Sequence, residues 1–137
     1  MEIKYRDILN LALSAKDIND KKTYLEKEWA TVDQDKLFDF AKIDEVTSHI
    51  AIILKASDLK YDPKWDKEYE EVENRTTVLM DVLECVATKL KDNSIEIVAL
   101  KNAGITKAIF KNNASSPMGD LDLLVRSNEF TRAHAII

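Results

Sequence analysis

Asp120 and Asp122 stand one residue apart in Gly119-Asp120-Leu121-Asp122-Leu123-Leu124-Val125. In an extended strand alternate side chains share a face, so the two carboxylates lie side by side while Leu121, Leu123 and Val125 point the other way. The pattern predicts a half-buried strand whose wet face carries paired acids. Two adjacent carboxylates can share a divalent cation. Gly119, immediately before them, leaves room for a ligand to approach the main chain. A turn running into an ordinary edge strand has the same spacing, so the acids count as a site only with the right elements around them.

Those elements are legible. Ile95-Glu96-Ile97-Val98-Ala99-Leu100 alternates as a strand once the helical pattern ends at Lys91-Asp92-Asn93-Ser94. Lys101-Asn102-Ala103-Gly104 then reads as a turn, Ile105, Ala108, Ile109 and Phe110 as a short helix, and Lys111 to Ser116 as a polar loop that delivers the acidic strand. Ser127 or Asn128 is placed to cap a last helix bearing Phe130, Ala133 and Ile137.

The preceding residues are helical. Ile8, Leu9, Ala12 and Leu13 recur at helical spacing within 5–15, and Tyr24, Leu25, Glu28 and Trp29 do so within 22–32. Asp33 can cap one long helix through Leu37, Phe38, Phe40, Ala41, Val46, Ile50, Ile53 and Leu54, ending near Asp58. Asp62-Pro63 is a second start signal. It opens a seam of Trp65, Tyr69, Val72, Thr76, Leu79, Leu83, Val86 and Leu90 in steps of four and three. Trp29 and Trp65 are expected to pack between helices, His49 to pack or hydrogen-bond within its helix, and His134 to be exposed.

Composition narrows the classes. The chain has 137 residues with only 2 Gly and 2 Pro, which favours long helices over a turn-rich β fold. The formal net charge is -5, and no basic cluster offers a surface for a long nucleic acid, so a small ligand or a protein is the expected partner. Cys85 is the single cysteine. It rules out an internal disulfide, and its place in the helical pattern predicts a small core residue in a reduced, cytoplasmic protein. No apolar run is long enough for a membrane span, and the N-terminus lacks the apolar stretch of a signal peptide.

Strand, turn, helix, loop and a second strand opening with Asp-x-Asp resembles the layout of the DNA polymerase β nucleotidyltransferase superfamily. The segment from Ile95 to Val125 resembles, more narrowly, a bacterial nucleotidyltransferase family with Leu-Lys-Gly after the first strand and Arg-Pro-x-Gly-Asp-x-Asp-Leu-Leu-Val at the second. Here these stand as Leu100-Lys101-Asn102 and Ser116-Pro117-Met118-Gly119-Asp120-Leu121-Asp122-Leu123-Leu124-Val125. Composition and helical spacing make residues 1–92 a helical bundle, and the resemblance implies that residues 93–137 are the first part of a small mixed β-sheet with flanking helices, so the protein is expected to be α+β, mostly α.

The same resemblance implies Asp120 and Asp122 as catalytic Mg²⁺ ligands, with Lys101, Asn102, Ser116 and Gly119 at the nucleotide. It further implies transfer of a nucleoside monophosphate from a nucleoside triphosphate to an unknown acceptor. Asn102 departs from the family glycine and Ser116 from an arginine able to neutralise phosphate charge. Lys107 or Lys111 is a candidate substitute for that charge. The superfamily takes a third carboxylate from a later strand. Neither Glu96 nor Glu129 stands where the pattern puts it, so the core is expected to be incomplete, with self-association or a partner chain completing it. The alternative reading is a catalytically inactive module of the same fold acting through protein contacts. A helical scaffold with an accidental Asp-x-Asp is the third.

Overall fold

A computed structural model describes residues 3–109 and 112–137. The expectations placed on Phe110 and Lys111 lie outside the described residues. The order is α1 (Ile3–Leu13), α2 (Ile18–Trp29), α3 (Gln34–Ile43), α4 (Thr47–Lys55), α5 (Lys64–Asp92), β1 (Ile97–Ala99), α6 (Lys101–Ile109), a 3₁₀ turn (Asn113–Ser115), β2 (Leu123–Val125), a second 3₁₀ turn (Ser127–Glu129) and α7 (Phe130–Ile136). The protein is mostly helical with one small two-stranded antiparallel sheet. The chain forms two compact units, Met1–Glu71 and Val72–Ile137. Sequence marks the change from helix to strand at 92/93, whereas the division into units falls inside α5.

The first unit is a helical cluster. Asp33 caps α3 as expected, accepting hydrogen bonds from the main-chain N–H groups of Asp35 and Lys36. The predicted single helix from Asp33 to Asp58 is instead two. Glu45 sits in the left-handed region with φ 57°, and the N–H of Val46 reaches back to the carbonyl of Ala41 at 2.7 Å. This is the six-to-one closure of a Schellman motif. The usual glycine is absent, so the sequence gives no stop signal. The core gathers Ile8, Leu25, Trp29, Leu37, Ile50, Leu54 and Trp65. Phe38 meets the Trp65 ring edge-on at 4.8 Å between centroids. Leu13, expected inward, is exposed, and Leu11 and Tyr5 are buried in its place. The start of α5 is fixed as predicted, with Asp62 Oδ1 accepting from the N–H of Lys64 at 2.8 Å.

The second unit is built on the rest of α5. Of the predicted seam, Val72, Thr76, Leu83 and Leu90 are buried. Cys85 is exposed rather than in the core: it lies two residues past Leu83, about 200° round the helix and off the buried stripe. Helix α5 ends in a second Schellman motif. Ser94 has φ 58°, the N–H of Ile95 donates to the carbonyl of Leu90 at 2.9 Å, and Leu90 and Ile95 share the apolar cluster with Ala133. Val86, Ile97, Val125 and Ile136 pack around them. At α7, neither Ser127 nor Asn128 is the cap. Both fall in the 3₁₀ turn, and no side-chain cap bond forms at Glu129. Phe130 and Ile137 are exposed, and Ile136 packs inward instead.

Among the described residues no helix is long and apolar enough to cross a membrane.

Candidate nucleotide and metal site

Both predicted strands form, but each is three residues long. They pair antiparallel with Ile97 opposite Val125, Val98 opposite Leu124 and Ala99 opposite Leu123. The N–H of Leu100 donates to the carbonyl of Asp122 at 2.9 Å, so the pairing continues one step beyond β1 and Asp122 faces Leu100. Asp120 and Asp122 therefore precede β2 rather than lie within it. The parity is as predicted: Leu123 and Val125 are half-buried while Leu124 is exposed on the other face.

Only Leu100 separates β1 from α6. Lys101 and Asn102, expected in a turn, form the first helical residues, and Lys101 makes the abrupt change of direction with φ 50°. A non-glycine residue adopts that conformation at a cost. The result is that Lys101 folds back on the acids, with Nζ 2.5 Å from Asp122 Oδ2. That oxygen is closed to solvent, and the ammonium is the charge that meets it. The Lys101 ammonium is held above the ordinary lysine value of 10.5, first by its hydrogen bond to Asp122, then by the charge of Asp122, and more weakly by that of Asp120. Both predicted acids thus act on the predicted lysine.

Gly104 explains how α6 comes so near. A Cβ at Gly104 would lie 2.7 Å from the carbonyl oxygen of Ala99, inside van der Waals contact with main chain that cannot move aside cheaply. The helix packs onto the end of β1 only because that Cβ is missing. Gly119 differs: a Cβ there would meet nothing within 4 Å, so the space beside the acids is open.

The other two predicted residues brace the site. Asn102 Nδ2 donates to the carbonyl of Pro117 at 3.1 Å, which ties α6 to the loop carrying the acids. Ser116 is buried, 5% exposed. Its Oγ lies 2.5 Å from Thr106 Oγ1. Thr106 gives its single proton to the carbonyl of Asn102 at 2.6 Å, so Ser116 is the donor in the pair. Thr76 of α5 adds a donor to the Ser116 carbonyl at 3.3 Å. Sequence placed Thr76 in the α5 seam and Gly104 in a turn without linking either to this site, and did not single out Thr106. A lone glycine inside a helical pattern was the one available signal.

The remaining carboxylates are elsewhere. Glu96 pairs with Arg126 at 2.7 Å, at the end of the strand pair opposite the acids, and Glu129 lies in the 3₁₀ turn before α7. Among the described residues no three His, Cys, Asp or Glu side chains group as metal ligands. The donor chemistry of Asp120 and Asp122 still suits Mg²⁺, which is commonly held by one or two carboxylates and completes its shell with water and substrate phosphate oxygens. Lys107 lies in α6 without a described side chain, and His134 is exposed beside Phe130.

A model of a family described as an uncharacterised nucleotidyltransferase matches residues 30–137. No curated protein matches the chain, and no solved structure does.

Proposed function

The chain belongs to the uncharacterised nucleotidyltransferase family, and from that premise we propose that it takes part in metal-dependent transfer of a nucleoside monophosphate from a nucleoside triphosphate to an acceptor. In such a transfer an acceptor oxygen forms a bond to the α-phosphorus as the bond to the β-phosphate oxygen breaks, and pyrophosphate departs. Asp120 and Asp122 would hold Mg²⁺. When bound, Mg²⁺ neutralises phosphate charge and orients the reacting oxygens. Lys101 would bind the triphosphate from the first turn of α6, where unpaired N–H groups and the positive end of the helix dipole also favour an anion. Asn102 would keep that turn against the Pro117 loop, while Thr106 and Ser116 hold the loop from beneath. Gly119 leaves the main chain before the acids open to a ligand.

The observation that carries this reading is the 2.5 Å approach of Lys101 to Asp122, since the cation that would bind phosphate then lies beside the residues that would hold the metal. Calorimetric titration of the chain with each nucleoside triphosphate, with and without Mg²⁺, tests it. Mg²⁺-dependent binding that disappears in Asp120→Asn is expected. Metal-independent binding, or binding that survives the substitution, would contradict it.

A further inference from the structure

The contact that marks the site also obstructs it. Asp122 cannot present Oδ2 to a divalent cation while Lys101 Nζ stands 2.5 Å away, because a cation at coordination distance of about 2.1 Å would lie against the ammonium. With Lys101 in this position the oxygen is closed to solvent. Lys101 is not locked in place, however. Its side chain is 74% exposed, and among the described residues Asp122 is its ion-pair partner.

Resting on the proposed reading of the site, we infer that Lys101 is a positioning residue that occupies Asp122 in the free protein and is drawn off by the triphosphate, so that metal and triphosphate bind with positive coupling. The ammonium has two alternative anionic partners, a carboxylate in one state and a phosphate in the other. Moving to phosphate frees a metal ligand and removes a positive charge from the metal's immediate surroundings, so each ligand favours the other. The coupling is reciprocal by linkage. The backbone supports such an exchange. The φ of 50° at Lys101 and the anchoring of Asn102 to the Pro117 carbonyl fix where the side chain begins, and only its long flexible stem need move.

The test needs no turnover. Mn²⁺ binding to the full chain without nucleotide is read by electron paramagnetic resonance for wild type, Lys101→Met, Lys101→Asn, Lys101→Arg and Asp122→Asn. Asparagine is included because it tolerates a left-handed φ, so one uncharged variant keeps the local fold. Met and Asn variants are expected to bind Mn²⁺ about threefold to tenfold more tightly than wild type, the scale on which one nearby charge acts at a surface. Lys101→Arg is expected to stay near wild type. Unchanged or weaker binding in both uncharged variants, with binding lost in Asp122→Asn, would overturn the exchange while leaving the metal site in place. Equal tightening in the Arg variant would overturn it too. Binding in Asp122→Asn equal to wild type, or no binding by any variant, would remove the site reading and the inference together.

Discussion

Replacing Gly104 by Ala sets two terms of known sign against each other. In a helix interior Ala is ordinarily better than Gly by about 0.5–1 kcal/mol, because the unfolded chain loses less freedom. In α6 the new Cβ would stand 2.7 Å from the carbonyl oxygen of Ala99, so the helix must back away from β1 by several tenths of an ångström. Overpacking of this kind costs about 1–3 kcal/mol, and the contact is with main chain rather than a side chain that can rotate. The net expectation is a loss of about 0–2.5 kcal/mol, centred on about 1 kcal/mol. Lys101 lies one helical turn before Gly104, so the same retreat carries it away from Asp122. Urea denaturation followed by circular dichroism should show a lower midpoint at unchanged slope, together with weaker Mg²⁺-dependent triphosphate binding. A Gly104→Ala variant stabilised by the full helix-propensity gain would refute the close-approach argument.

Two further outcomes are expected. Leu83→Ala, which truncates a buried seam residue, should cost about 2–5 kcal/mol, against less than about 0.5 kcal/mol for exposed Glu71→Ala, and denaturant melts of the pair check which face of α5 is inside. Thr106→Val keeps the shape of a buried residue but leaves the Asn102 carbonyl and the Ser116 hydroxyl short of a partner. It should cost about 1–3 kcal/mol in the same melts and weaken triphosphate binding.

Strand alternation and motif spacing brought out three residues that the fold sets near one another, whereas helix ends were harder to read. Asp120, Asp122 and Lys101 were visible because strand alternation and motif spacing are local, and the approach of Lys101 to Asp122 follows from the pairing of β1 with β2, which sets Leu100 opposite Asp122. The break at Glu45 was invisible because a glutamate occupies a left-handed position where glycine is the ordinary signal. Cys85 was misplaced because it was assigned to the apolar side of the α5 pattern, whereas its angle on α5, two residues past Leu83, sets it off the buried stripe. Ser116 was expected at the nucleotide from its place in the motif, and nothing in the sequence signalled that it is buried. Its burial depends on Thr106 and Thr76, which lie 10 and 40 residues away, and no local pattern reports such a pairing. The length of β2 was overestimated because alternation continues through Asp120 although the pairing reaches no further than Asp122 opposite Leu100.

The central claim is that a metal and a triphosphate share the ground between Asp120, Asp122 and the first turn of α6, and paramagnetic broadening of backbone amide resonances by Mn²⁺ tests it most directly. With Mn²⁺ and a nucleoside triphosphate added together, the account predicts broadening centred on residues 119–123 and 101–104. Glu96 and Arg126, at the opposite end of the strand pair, should be spared, and Asp122→Asn should abolish the effect. Broadening centred on Glu96, Arg126 and Glu129, or a pattern that Asp122→Asn leaves intact, would contradict it.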